Sequence, residues 1–177
     1  MKKNSIALIG FMATGKTSVG RKLAENLGDN YKFIEMDKII VEKAGKSIPD
    51  IFSEDGEIRF REYEIAVCKE LSNYEHVILS CGGGVVLNKI NIDYLKKNCL
   101  IVLLEASAED IFQRAMKDGK ETRPVINKED PKREIEKVLE FRKPFYEAAA
   151  DIIIDTSKKS IEEIANQILN KIEEKLL

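Results

Sequence analysis

Much of what would point this 177-residue chain toward a particular class of partner is scarce or missing. An excess of one charge sign is missing: 29 Lys+Arg and 31 Asp+Glu leave a net charge of -2, although charged residues make up 34% of the sequence. So even a balance supplies no electrostatic footprint for a nucleic-acid partner. Cysteine is scarce, and Cys68, Cys81 and Cys99 lack C-x-x-C spacing. An odd number of thiols without that spacing argues against a disulfide framework or a structural zinc site and fits a reducing cytoplasm. No apolar run is long enough to span a bilayer. The N-terminal one follows a short basic start, is interrupted by Gly10 and Gly15, lacks a cleavage site and reads as a buried strand. Internal repeats and low-complexity linkers are missing too, and nothing marks an oligomer interface, so a monomer is the default expectation.

What is present is enough apolar material, 44% of the chain, for one sizeable core and hence a single domain over residues 1–177. Short β-branched runs alternate with stretches of helical period, the pattern of a parallel sheet covered by helices. Strands are expected at Ser5–Ile9, Tyr31–Met36, His76–Ser80, Cys99–Leu104 and Asp151–Ile154. Val19, Leu23 and Leu27 form the apolar stripe of the first helix, and Ile161, Ile164, Ala165, Ile168 and Ile172 that of the last. Two stretches break the rhythm, Lys38 to Arg61 and Met116 to Pro131. Both are rich in charge and turn formers, so each reads as an inserted segment or lid over the carboxyl edge of the sheet.

Between the first strand and the first helix lies GFMATGKT, which matches G-x-x-x-x-G-K-[ST] in its required context. At ordinary glycine usage of about 7%, those fixed positions arise by chance in such a chain on the order of once in a hundred. Gly10, Ala13, Thr14, Gly15, Lys16, Thr17 and Ser18 are therefore the expected phosphate cradle, with convergent backbone N–H groups and the positive end of the following helix. Lys16 is placed to reach the β- and γ-phosphates and the Thr17 hydroxyl to ligate magnesium. Ala13 carries a Cβ and is expected at negative φ. Asn127 to Asp130 spells the N-K-x-D motif of GTPases, but it follows no buried strand and the chain has no Asp-x-x-Gly, so the match reads as an accident in a polar lid.

The acceptor side is carried by other residues. The second strand ends in Glu35-Met36-Asp37, and two carboxylates at i and i+2 of a strand share a face. They point into the crevice where open α/β sheets bind ligands, one able to support magnesium and the other to hold and deprotonate a hydroxyl. A helix N-cap is the plainer role for Asp37. Gly82-Gly83-Gly84 follows the third strand, and three glycines allow a ligand close to main-chain N–H groups. Cys81 beside them reads as a small semi-buried residue, since His76 on the same strand is the only histidine. Arg21, Arg59 and Arg133 read as solvating helix faces. Arg123 and Arg142 have proline neighbours that fix their backbone, and a guanidinium fork suits a carboxylate or phosphate, so the acceptor reads as an anionic small molecule with a hydroxyl.

In order and spacing, the GKT loop, the acid-x-Asp pair, Phe60-Arg61-Glu62, Gly82-Gly83-Gly84-Val85, Arg123-Pro124 and Arg142 with Pro144 and Tyr146 resemble the shikimate kinases over nearly the whole chain. That resemblance implies an α/β fold of the P-loop nucleoside-monophosphate-kinase type, three-layered, with a five-stranded parallel sheet, a substrate-binding segment at about 38–61 and a lid at about 116–131. It implies ATP and Mg2+ as cofactors, shikimate as the small-molecule partner and the 3-hydroxyl as acceptor. It assigns Asp37, Lys16 and Arg123 to catalysis, with Arg123 also on the nucleotide, and Asp37, Arg61, Gly82, Gly83, Gly84 and Arg142 to shikimate. Thr17 and Glu35 fall to the metal, and Arg114 or Lys117 to adenine. Departures from the family's usual residues are Ala13 for glycine, Glu35 for Asp and Cys81 for threonine. Rival readings are a gluconate or nucleoside monophosphate kinase on the same scaffold, or a nucleotide-dependent switch using Asn127 to Asp130.

Overall fold

The computed structural model describes residues 3–117 and 130–176. Its strands are β1 (Ser5–Ile9), β2 (Lys32–Glu35), β3 (Val77–Ser80), β4 (Cys99–Glu105) and β5 (Ile152–Asp155). They form one parallel sheet in the order β2-β3-β1-β4-β5, each within a residue or two of its expected position. The connections include α1 (Lys16–Leu27), α2 (Met36–Ala44), the single turn α3 (Ile48–Asp50), α4 (Gly56–Leu71), α5 (Lys89–Leu95), α6 (Ala108–Lys117), α7 (Pro131–Ala149) and α8 (Ile161–Leu176).

Parallel strands need crossover helices, and here these cover both faces. One face of the sheet, with Ala7, Ile9, Leu79, Ile101 and Leu103, packs on Ile40, Val67, Cys68, Leu71, Leu95 and Ala149 from α2, α4, α5 and α7. The alternate residues Ile6, Leu8, Ile78, Val102 and Ile154 pack on Val19 and Leu23 of α1 and Ile164, Ala165 and Ile168 of α8. Because α1 leaves β1 on one face and α5 follows β3 on the other, the carboxyl ends of β1 and β3 part around a crevice. Register puts Leu8 opposite Ser80, and Ser80 opposite Glu35. The three loops that follow those strands therefore start at one level. Among the described residues, no helix is long and apolar enough to cross a membrane.

Several local expectations differ from the structure. The stretch from Met36 to Leu71 is almost wholly helical rather than turn-rich, with a π-helical turn at Ile51–Asp55 joining α3 to α4. Gly45 and Gly56 sit at φ 68° and 82°, where they end one helix and start another instead of opening a loop. In α4 the buried stripe is Phe60, Glu64, Val67, Cys68 and Leu71, with a carboxylate occupying a core position. In α8 Ile161 is 46% exposed, whereas Ile168 is fully buried. The buried stripe of that helix therefore begins at Ile164, which is 4% exposed.

Ile168→Ala should accordingly cost about 2–4 kcal/mol of stability and Ile161→Ala no more than about 0.5. Urea unfolding followed by circular dichroism checks this, and equal losses would mean that the stripe continues to the start of α8.

Candidate active site

The phosphate loop follows β1 directly. Gly10 lies at φ 138°, and a Cβ there would collide with the Leu104 carbonyl oxygen of the neighbouring strand. So close an approach admits only glycine. Ala13 lies at φ 56°, in the left-handed region, against the expectation of negative φ. Its carbonyl accepts a 3.3 Å hydrogen bond from Arg114 Nη1, and Arg114 also donates to Thr156 Oγ1 and to the Thr156 carbonyl, so neighbouring elements hold the strained residue in place. Thr14, 1% exposed, turns inward and donates to the Phe11 carbonyl, bracing the loop from within. Lys16 Nζ donates to the carbonyls of Gly10 and Phe11 at 2.9 and 2.6 Å, which fixes its charge inside the curl of the loop.

A cavity of 330 Å³ opens in front of this loop. Ala13, Gly15, Lys16, Thr17 and Ser18 line one side, Glu35 and Asp37 another, and Ser80 to Gly83 the third. Glu35 and Asp37 thus share a cavity, but not by the alternation of a strand. β2 ends at Glu35, and Asp37 lies in the first turn of α2, where the helix N-terminus favours a negative charge. Neither makes a side-chain cap, because Glu35 holds the cap position without a side-chain cap bond. Glu35 Oε1 instead pairs with Arg21 Nη2 at 2.6 Å and Lys38 Nζ at 2.9 Å. Arg21, also stacked on Phe33, is more than a solvated helix charge. Asp37 is exposed to the open cavity, yet desolvation by the surrounding walls pushes its carboxyl above its ordinary range, Lys16 pulls it back and Glu35 adds to the rise.

The glycine turn is gripped from two sides. A Cβ on Gly84 would lie 2.7 Å from Arg61 Nη1, and one on Gly83 would lie 3.5 Å from Arg142 Nη1. Arg142, in α7 despite Pro144 within that helix, donates to the Gly83 carbonyl at 3.1 Å, and the Tyr146 hydroxyl donates to the same oxygen at 2.6 Å. Its Nε is buried without a partner, so the guanidinium keeps unused hydrogen-bonding capacity beside the turn. Arg61 is bracketed by Glu57 and Glu64, the latter only 1% exposed. Phe52 and Phe60 stack next to it with ring centroids 4.7 Å apart.

Cys81 is 2% exposed, more buried than expected, and burial raises its thiol well above the usual range, which keeps it from acting as a nucleophile. Lys117 is exposed on α6, unlike Arg114. Asp130 accepts from the Arg133 N–H as the N-cap of α7, a structural use of the last position in the N-K-x-D match. Arg123 and Asn127 to Glu129 lie outside the described residues. Glu64 and Asn91 were not singled out from the sequence, and Tyr146 entered only as a position of the resemblance, with no role for its hydroxyl. A carboxylate in the core stripe of α4, at i+3 from Arg61, was the available sign of the first.

The cavity presents hard oxygen donors, the hydroxyls of Thr17 and Ser80 and the carboxylates of Asp37 and Glu35. Among the described residues, no three His, Cys, Asp or Glu side chains cluster to hold a metal by themselves. Such a donor set fits magnesium, which binds through one or two protein oxygens together with substrate phosphates.

The family model for shikimate kinase matches residues 12–173. A curated shikimate kinase from Caldanaerobacter subterraneus is 43% identical over 165 residues, covering 93% of this chain and 94% of that protein. Among solved structures, a shikimate kinase from Acinetobacter baumannii in complex with shikimate superposes with a TM-score of 0.91 at 35% identity, covering 99% of this chain and 96% of that one. A gluconokinase from Sinorhizobium meliloti matches with a TM-score of 0.61 at 19% identity over 99% of this chain and 97% of that chain, which shows a shared fold alone.

The Asp37 carboxyl yields a test by linkage. A carboxyl whose value is raised by folding is protonated in both states at low pH. As pH climbs through the ordinary carboxylate range the unfolded chain ionises first, so folding weakens, and the penalty is constant above the raised value. Asp37→Asn should therefore be more stable than the parent at pH 7, by a margin that shrinks toward about pH 4. Thermal melts across that range read the difference. A less stable Asn variant at pH 7 would mean that attraction to Lys16 outweighs desolvation.

Proposed function

The chain belongs to the shikimate kinase family, and from that premise we propose how its residues share out the reaction. The enzyme transfers the γ-phosphoryl group of ATP, with Mg2+, to the 3-hydroxyl of shikimate. One observation carries the assignment of roles: a single cavity joins the phosphate loop to Asp37 and to a glycine turn gripped by Arg61 and Arg142. Neither a nucleotide base nor a neutral polyol requires two guanidinium groups converging beside one turn. A carboxylate does.

In this reading Arg61 and Arg142 bind the shikimate carboxylate, main-chain groups of Gly82, Gly83 and Gly84 close on the ring, and Asp37 accepts hydrogen bonds from the ring hydroxyls. The desolvation that raises the Asp37 carboxyl makes it a stronger base, so it takes the proton of the attacking hydroxyl. As the new oxygen–phosphorus bond forms, the bond to the bridging oxygen of ADP breaks in line with it, and Lys16 with the loop amides spreads the charge on the phosphoryl oxygens. Gly10, Ala13, Thr14, Gly15 and Ser18 shape that cradle. Magnesium, held by Thr17 with Glu35 behind it, would screen the phosphate charges when bound. Arg114, fixed against Ala13 and Thr156, is better placed for the adenine than the exposed Lys117. Arg123 is assigned to the lid at 116–131, which closes over the transferring group, and residues 38–61 to the substrate segment of one domain spanning 1–177. We assign the chain to the cytoplasm as a monomer, and its described cysteines are all free and buried.

With ATP and magnesium present, ADP release should depend strongly on added shikimate. No stimulation in a folded, ATP-binding protein would send the search to other anionic hydroxyl compounds. Arg142→Ala should raise KM for shikimate by about tenfold or more while KM for ATP holds. Arg123→Ala should instead lower kcat by about a hundredfold or more. Unchanged turnover in that variant removes the lid arginine from the mechanism.

A further inference from the structure

Asn91 of α5 is fully buried, an uncommon place for an amide. Both of its amide hydrogens are used. Nδ2 donates to Glu64 Oε2 and to the Val85 carbonyl, each at 3.1 Å, and the same Glu64 oxygen receives Arg61 Nη1 at 3.1 Å. Oδ1 has no partner. A buried unpaired carbonyl is a cost that an apolar residue of similar size would avoid, so the amide is not there to fill the core. Nor can it reverse, because Oδ1 would then face a carboxylate and a carbonyl, both acceptors.

The consequence runs through the site. Val85 immediately follows the glycine turn, and Glu64 is the buried carboxylate that orients Arg61. Burial pushes the Glu64 carboxyl up, and Arg61 and the Asn91 amide pull it back toward the ionised form that Arg61 needs as a partner. One amide thus joins the turn to the arginine that stands against it, where a Cβ on Gly84 would lie 2.7 Å from Arg61 Nη1. We infer that Asn91 is a positioning residue of the shikimate kinase reaction, setting the Arg61 guanidinium at the acceptor's carboxylate by holding Glu64 and the Val85 backbone in register. This rests on Arg61 being part of the carboxylate clamp.

Kinetics of the full chain test it with Asn91→Leu, Asn91→Ala, Arg61→Ala and the doubles. Each Asn91 variant should raise KM for shikimate at least about tenfold, the loss expected when a buried hydrogen bond to a charged group goes, with KM for ATP within about twofold. Added to Arg61→Ala, the same substitution should raise KM no further, because the arginine through which it acts is gone. Should Asn91→Leu not fold, Asn91→Ala, which only removes atoms, carries the comparison. A folded Asn91 variant with unchanged KM for shikimate overturns the assignment, as does an effect that persists in full on the Arg61→Ala background. If Arg61→Ala itself leaves KM for shikimate unchanged, the clamp fails, and the role of Asn91 with it. If Arg61→Ala raises KM and the Asn91 variants do not, the clamp stands and only the inference about Asn91 falls.

Discussion

The parallel register of β2, β3 and β1 is the constraint on which the rest depends. Leu8 opposite Ser80 and Ser80 opposite Glu35 bring three strand ends to one level. The phosphate loop, the glycine turn and the first turn of α2 then leave the sheet side by side. The Cys81 N–H donates to the Leu8 carbonyl and extends that alignment one residue past β3. A slip of one residue would turn a strand's side chains to the opposite face, moving Leu79 from the layer of α2, α4, α5 and α7 to that of α1 and α8 and misfitting both, so the packing that builds the core also fixes the site. Core and catalysis share one register.

Charge held against desolvation is the second theme. Burial disfavours ionisation of Glu64, desolvation by the cavity walls does the same for Asp37 although that residue is exposed to solvent, and the Asp37 charge adds to the cost at Glu64. The compensation is local: Lys16 faces Asp37, while Arg61 and Asn91 bond Glu64. Grouping desolvated carboxylates with arginines costs stability, and in the proposed reaction that grouping would preorganise a pocket for an anionic hydroxyl compound. Where Glu35 is concerned, the compensation comes from outside the cavity, through Arg21 and Lys38. Two cations on one oxygen hold that carboxylate at the cavity wall.

Strand positions, the phosphate loop and the identity of most cavity residues were legible along the chain because each depends on nearest neighbours: β-branched runs, glycine spacing, an acid at the end of a strand. Backbone conformations that depend on distant partners were not legible in this way. Ala13 takes positive φ because Arg114 and the loop's own packing hold it there. Asp37 reaches the cavity from the first turn of a helix, where the alternation of strand faces does not apply. In α4 Glu64, and not the apolar Ile65 beside it, takes the buried position because Arg61 and Asn91 satisfy it.

By itself, then, the sequence determined the parallel α/β architecture, the phosphate loop and the order of the residues proposed for the acceptor, since all of these follow from local pattern and spacing. Only the tertiary structure decided which arginines meet at the glycine turn, that Tyr146 shares the Gly83 carbonyl with Arg142, and that Asn91 ties the turn to Glu64. Those contacts join residues far apart in the chain, and the packing of helices on the two faces of the sheet is what brings them within hydrogen-bonding distance.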